Sequence, residues 1–72
     1  MLYEYDFTGR KPSLSQVMKQ VREGIRQNCR MIQISWGENR IDLERSDNGS
    51  NWYGYGWIKG ISGDNIAKEL QS

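Results

Sequence analysis

Residues that commonly carry out catalysis or bind metals are scarce in this sequence. It has no histidine, the side chain used most often as a general base and as a metal ligand. Cys29 is the only cysteine, so the sequence can form neither an internal disulfide nor the usual zinc sites of cysteine and histidine. Gly-x-Ser-x-Gly and P-loop patterns are missing as well. We therefore expect a protein that is not an enzyme, with no catalytic residues, no metal and no cofactor.

Long apolar segments are also missing. No run of apolar residues approaches the roughly 20 that a membrane-spanning helix needs. The opening residues, MLYEYDF, have neither the basic nor the apolar region of a secretory signal peptide. Together with the single cysteine, these features indicate a cytoplasmic protein with no membrane partner. A chain of 72 residues is expected to form a single domain, residues 1–72, with a small core.

Four segments have the pattern of β-strands. In the first, Tyr3, Tyr5 and Phe7 alternate with polar residues, which is typical of a strand with one buried face. The pair Asn48 and Gly49 predicts a hairpin turn before the fourth strand, because both residues tolerate positive φ. The predicted strands are residues 2–7, 31–36, 40–45 and 51–60.

Two helices complete the predicted fold. Ser13 and Gln16 match a capping box, in which each side chain binds the other residue's backbone N–H. Apolar residues then recur at helical spacing until near Asn28, where this helix is expected to end. Ser62 predicts a second helix over residues 63 to about 70. The order β-α-β-β-β-α indicates an α+β domain, in which an antiparallel-rich, four-stranded sheet carries both helices on one face.

The segment NWYGYGWIKG, residues 51–60, has two interpretations. Its odd positions carry three aromatic residues and its even positions include two glycines, which contribute little to a core. One interpretation turns the aromatic residues toward the helices, to fill the core of a small domain. The other turns them toward solvent as a row that binds a ligand or a partner. The candidate residues of this aromatic strand are Trp52, Tyr53, Tyr55, Trp57 and Lys59.

The two glycines of this segment, Gly54 and Gly56, predict a flat strip on the strand. A close helix contact or a bulge would explain the strip, and so would the approach of another molecule.

The solvent side of the sheet is expected to be acidic. Arg40 and Lys59 are the only basic residues assigned to it. Such a face repels phosphates, so it favours a protein partner over nucleic acid, unless it is simply a solvated face. If the apolar residues of each strand point inward, the outward residues include Glu4, Asp6, Gln33, Ser35, Asp42 and Glu44.

Basic residues are concentrated instead on the first helix. A basic stripe is typical of helices that bind a phosphate backbone or an acidic protein. Basic residues near the end of a helix also interact favourably with its dipole, so the stripe has a purely structural explanation as well. At about 100° per residue, the side chains that fall in one arc beside the apolar stripe are Lys19, Arg22, Arg26 and Arg30.

Two hypotheses for function follow from these surfaces. The first is a binding module whose basic helix contacts an anionic macromolecule, either nucleic acid or an acidic surface of a nucleic-acid-handling protein. The second is a protein-interaction, inhibitor or ligand-sequestering module that acts through residues 51–60 as a homodimer, in the manner of small modulators encoded by phages and plasmids. A homodimer would cover apolar surface that so short a chain cannot bury alone.

Overall fold

The computed structural model describes residues 1–71 and contains two helices and five strands. Its elements are β1 (Leu2–Phe7), α1 (Leu14–Arg26), β2 (Met31–Trp36), β3 (Asn39–Arg45), β4 (Trp52–Ile58), β5 (Ile61–Ser62) and α2 (Gly63–Gln71). The predicted α+β class and the order β-α-β-β-β-α are confirmed, with β5 as an additional strand of two residues between β4 and α2. No helix among residues 1–71 is long and apolar enough to cross a membrane.

The five strands form one mixed sheet with the spatial order β1-β2-β3-β4-β5. β1 and β2 are parallel, and α1 connects them as the crossover that a parallel pair requires. All other neighbouring strands are antiparallel, so the sheet is antiparallel-rich as predicted. β4 ends at Ile58 and not at Gly60 as predicted, because Lys59 and Gly60 form the turn to β5.

Both predicted helix starts are confirmed by their caps. The Ser13 hydroxyl accepts a hydrogen bond from the Gln16 N–H at 3.1 Å, and the Ser13 N–H donates to the Gln16 side-chain oxygen at 2.8 Å. At α2 the Ser62 hydroxyl accepts a hydrogen bond from the Asn65 N–H at 3.3 Å. Each cap satisfies a backbone donor that the first turn of a helix leaves without a partner.

The end of α1 is set by Asn28, which adopts the left-handed conformation with a φ of 59°. The Asn28 N–H donates to the Ile25 carbonyl at 2.8 Å, and the Cys29 N–H donates to the Gly24 carbonyl at 3.0 Å. These two bonds form a Schellman motif, which terminates a helix and is favoured by glycine or asparagine at the left-handed position. The helix therefore ends at Arg26, slightly before the predicted end.

A single hydrophobic core joins the sheet to both helices, which places α1 and α2 on the same face of the sheet as predicted. Val21 of α1, Ile34 of β2 and Ile41 of β3 are completely buried in it. Apolar residues at alternate positions of β2 and β3 contribute four of its eleven buried residues. The buried members of the core are Val17, Val21, Ile32, Ile34, Ile41, Leu43, Trp52, Ile58, Ile61, Ile66 and Ala67.

α2 packs on β4 with almost no space between the two backbones. A Cβ atom built on Gly54 would lie 1.9 Å from the Gly63 carbonyl oxygen, and one built on Gly63 would lie 2.3 Å from the Tyr55 carbonyl oxygen. Both separations are too short for real atoms, so only glycine fits at either position. At Gly54, the flat strip predicted from the two glycines is therefore explained by a close contact with α2.

The register of β4 shows which of its residues face the core. Gly54 is the cross-strand partner of Leu43 and Gly56 is the partner of Ile41, and both of these partners are buried. Residues directly opposite each other in an antiparallel pair project from the same side of the sheet. The even positions of β4 therefore face the helices. Gly56 also has a φ of 74°, and a Cβ there would lie 2.2 Å from the Arg40 carbonyl oxygen.

The aromatic residues at the odd positions, Tyr53, Tyr55 and Trp57, consequently point to solvent. The interpretation that turns them toward the helices is wrong, and the opposite orientation is observed. The reason is space, because α2 approaches the backbone of β4 so closely that no ring fits between them. Trp52, which is only 8% exposed, is the aromatic residue that β4 contributes to the core.

Replacement of Gly54 by alanine tests the close contact. We expect Gly54→Ala to lower the free energy of unfolding by about 3 kcal/mol or more, because the added methyl group collides with backbone atoms of α2. Urea denaturation followed by circular dichroism measures the change. Gly49→Ala is the control, since Gly49 has a φ of 75° but open space around it, so it should cost only about 1–2 kcal/mol. Equal losses in the two variants would contradict this packing.

Truncation of Ile34 tests the position of the core. We expect Ile34→Ala to lower the free energy of unfolding by about 2–4 kcal/mol, because Ile34 is completely buried on a central strand. Leu14→Ala removes a similar side chain that is 52% exposed, and it should change the free energy by no more than about 0.5 kcal/mol. Thermal unfolding of the two variants beside the parent protein makes the comparison. Similar unfolding temperatures for Ile34→Ala and the parent would show that the inward face is misassigned.

Candidate interaction surface

One face of the sheet carries no helix, and its side chains form three rows across β1 to β4. Directly paired residues project from the same side, so the strand register defines the rows. They consist of Leu2, Met31, Glu44 and Tyr53; of Glu4, Gln33, Asp42 and Tyr55; and of Asp6, Ser35, Arg40 and Trp57. We call these three rows the open face. The outward positions predicted for the polar and acidic residues of the strands are confirmed.

An aromatic ridge runs along the β4 side of the open face. It consists of Tyr53, Tyr55 and Trp57, which are 49%, 57% and 66% exposed. Successive members are two residues apart in a strand, which spaces them by roughly 7 Å. Rings at this spacing form a nearly continuous apolar strip, and exposed strips of this kind on a protein surface are typical of binding sites.

Leu2 and Met31 extend the apolar surface on the opposite side of the open face. Each is 43% exposed, and both lie in the same cross-strand row as Tyr53. Neither residue is among those predicted to bind a partner. Their positions in the alternating pattern, opposite to those of Tyr3 and Ile32, would have placed them on the outer side.

Two residues of the predicted aromatic strand lie outside the aromatic ridge. Trp52 is on the helix side of β4, where the Arg45 guanidinium lies 5.8 Å from its ring centroid. Lys59 lies in the turn after β4, with its ammonium group 5.8 Å from the ring centroid of Trp36. Trp52 faces the core and Lys59 follows the end of the strand, so neither side chain contributes to the ridge. Lys59 therefore does not offset the acidic charge of the open face.

The open face is acidic. It carries four carboxylates, those of Glu4, Asp6, Asp42 and Glu44, against the single guanidinium of Arg40, a net charge of −3. Arg40 Nε lies 3.1 Å from Asp42 Oδ2. The second oxygen of Asp42, Oδ1, is buried and has no hydrogen-bond partner within residues 1–71. Glu44 is exposed and, in the same part of the chain, takes part in no ion pair.

A groove of about 690 Å³ borders the end of the aromatic ridge, next to the β2–β3 turn. It is open to solvent, so it can admit a side chain or a loop of a partner. The part of the chain that the structure describes holds no cluster of three or more histidine, cysteine or carboxylate side chains suited to a metal ion. The groove is lined by Ser35, Gly37, Glu38, Asn39, Arg40, Asp42, Gly56 and Trp57.

The predicted basic stripe is partly neutralised on α1 itself. Lys19, Arg22 and Arg26 are all exposed, but Arg26 Nε donates a hydrogen bond to Glu23 Oε1 at 3.2 Å. Hydrogen bonding from Arg26 holds the pKa of the Glu23 carboxyl below its ordinary value, so this pair is charged at neutral pH. Lys19 and Arg22 take part in no ion pair among residues 1–71.

Arg30, the last residue of the predicted stripe, does not belong to α1. The Schellman motif ends the helix at Arg26, so Arg30 lies in the connection to β2. Its guanidinium forms an ion pair with Asp47, in the β3–β4 turn. The predicted arc of four residues on one helix is therefore wrong for Arg30, because the helical spacing does not continue beyond the motif.

β1 has a neighbour on one side only, so the backbone groups along its other edge are free to pair with a further strand. A symmetric homodimer built on this edge would pair β1 with itself in antiparallel fashion about a two-fold axis. Two alignments centre such a strand pair on β1. In one of them Glu4 would lie opposite Glu4 of the second copy, and in the other it would lie opposite Asp6. Like charges directly opposite each other destabilise a strand pair, so this edge is protected against self-pairing.

The three tryptophans should differ in their access to solvent. We expect a variant that retains only Trp57 to be strongly quenched by acrylamide, because this side chain is 66% exposed. A variant that retains only Trp52 should be protected, because its ring is 8% exposed and packs in the core. Steady-state fluorescence of the two variants, with phenylalanine at the other tryptophan positions, makes the comparison. Equal quenching would contradict the orientation of β4.

Comparison of the chain with protein-family models, with curated proteins and with solved structures finds no match. Function therefore has to be inferred from the side chains themselves, above all from the aromatic ridge and the carboxylates beside it.

Proposed function

We propose that the protein is a non-enzymatic protein-interaction module and that the open face is its contact surface. The observation that carries this proposal is the orientation of β4, which keeps three large aromatic side chains in water and places glycines on the helix side. Leaving three rings about half exposed forgoes much of the free energy of burying them, whereas aromatic side chains dominate the energetics of protein interfaces. As a small regulator or inhibitor of a cytoplasmic protein, of the type that phages and plasmids encode, the chain would need nothing beyond such a surface.

The charge of the open face favours a protein partner over nucleic acid. A surface with a net charge of −3 repels phosphates, so the aromatic ridge is poorly placed to stack on the bases of a single strand. A second copy of the chain, as in the predicted homodimer, remains an occupant of this face to be tested. Two copies packed face to face would bring equal negative charges together, which disfavours that arrangement.

A second candidate function is the binding of an anionic macromolecule through α1. It is supported by the exposed side chains of Lys19 and Arg22, which form no ion pair within residues 1–71. It is weakened by the pairing of Arg26 with Glu23 and by the position of Arg30 outside the helix. A cluster of two free cations is a small footprint for a phosphate backbone.

Affinity capture with two matched variants separates these functions. The face variant replaces Tyr53, Tyr55 and Trp57 by threonine, which suits an exposed strand position and should preserve the fold. The helix variant replaces Lys19 and Arg22 by glutamine. Each immobilised protein is incubated with extract of the source cell, with and without nuclease, and bound partners are identified by mass spectrometry and then measured with purified components.

We expect the face variant to lose at least about 30-fold in affinity for the partner, since interface aromatic residues often contribute about 2 kcal/mol or more each. The helix variant should bind as the parent does, and nuclease should have no effect. Sedimentation at several concentrations reports the oligomeric state of the same samples. Loss of the partner in the helix variant or after nuclease, with binding retained by the face variant, would support the anionic-partner function instead.

A further inference from the structure

We propose that the partner of the open face is a basic protein segment and that an arginine side chain of this segment binds between Tyr53 of the aromatic ridge and the carboxylate of Glu44 on β3. This inference rests on the proposed function and specifies the chemistry of the partner.

The first argument is the alternation of rings and carboxylates. Glu44 is the cross-strand partner of Tyr53, and Asp42 is the partner of Tyr55. Residues directly opposite each other in a sheet have Cβ atoms only about 5 Å apart, so each carboxylate stands beside an exposed ring. A guanidinium is planar, stacks on aromatic faces and donates paired hydrogen bonds to carboxylates. The exposed carboxylate of Glu44 beside the ring of Tyr53 meets both of these requirements, whereas Asp42 already binds Arg40 through Oδ2 and its Oδ1 is buried.

The chain itself contains two guanidinium groups in related surroundings. On the open face, Arg40 lies beside Asp42, with Nε 3.1 Å from Oδ2, and is the cross-strand partner of Trp57. On the helix side, Arg45 lies 5.8 Å from the ring centroid of Trp52. Guanidinium groups thus already pack against the carboxylates and rings of these two strands. Among residues 1–71, no cation lies over the ring of Tyr53 or Tyr55, and the neighbouring Glu44 is exposed and forms no ion pair.

The second argument is charge complementarity. The net charge of −3 on the open face attracts a basic surface and disfavours both phosphates and a second copy of the same face. Arginine is preferred to lysine, because the ammonium group of lysine is strongly hydrated and lacks the planar fork that matches a carboxylate. The occupant is therefore an arginine-bearing segment of another protein.

Peptides that differ only in one side chain test this inference. The probes are three soluble twelve-residue peptides with serine at alternate positions and, at the remaining positions, arginine, lysine or citrulline, the uncharged analogue of arginine. Binding is followed by amide chemical shifts of the isotopically labelled protein. We expect the arginine peptide to bind with an affinity at least about fivefold higher than that of the lysine peptide and to shift residues of β3 and β4. The citrulline peptide should give no saturable binding.

Two charge-matched variants provide the control. Asp42→Asn with Glu44→Gln removes two negative charges from the open face, and Asp64→Asn with Glu69→Gln removes two from α2, on the other side of the sheet. The first variant should lose at least about fivefold in affinity for the arginine peptide, while the second should stay within about twofold of the parent. Circular dichroism confirms that both variants fold.

The outcomes distinguish the two levels of the proposal. Equal affinities for arginine, lysine and citrulline peptides, or equal losses in the two charge variants, overturn arginine recognition. If arginine recognition is overturned but the threonine face variant still loses the cellular partner, the proposed protein-interaction function is supported and only its arginine specificity is rejected. If the threonine face variant retains both the arginine peptide and the cellular partner, the open face is not the contact surface and both proposals fail. Binding that is lost in the threonine face variant and in Asp42→Asn with Glu44→Gln, but not in the α2 variant, supports both.

Discussion

The structure depends on the contact between the backbones of β4 and α2. Gly54 and Gly63 each present a bare backbone to the other, and a single methyl group on either would overlap a carbonyl oxygen. The two-residue strand β5 reverses the chain so sharply that α2 starts directly above the strand it has just followed. Burial of Ile61 and Ile66 on the two sides of the Ser62 cap then holds the helix against the sheet. The short second helix has enough stability because it lies so close to the sheet.

This contact divides the residues of one strand between two roles. On the helix side, Trp52 and Ile58 at the two ends of β4 reach the core, and Gly54 between them lets α2 approach. The rest of the buried core consists of aliphatic residues of β2, β3, β5 and both helices. The aromatic side chains of the strand are thus left to the open face. The close approach of α2 at Gly54 thus also accounts for the exposed ridge on the other side.

Local patterns predicted most of the fold. The capping box at Ser13, the alternation in the central strands and the acidic outer face all depend on neighbours in sequence or on simple period-two geometry, and the structure confirms them. The orientation of β4 could not be predicted in this way, because it is decided by Gly63 in a different element. The predicted helix end near Asn28 is close to the observed one, because Asn28 adopts the left-handed conformation that terminates α1 two residues earlier, at Arg26. The pairing of Arg30 with Asp47 depends on a turn that is distant in sequence, so no helical pattern could reveal it.

The separation of charge between the two faces has a consequence for motion in solution. The sheet presents an excess of negative charge on one side, while Lys19 and Arg22 lie exposed on the helix that covers the other. A nearly neutral molecule with this arrangement is an electric dipole. In the field of a charged surface it experiences little net pull but a definite torque, which rotates it before contact. Approaching a basic partner, the molecule would turn its sheet forward, and approaching a phosphate-rich surface it would turn the same sheet away. A larger fraction of collisions then brings the partner into contact with the face of opposite charge.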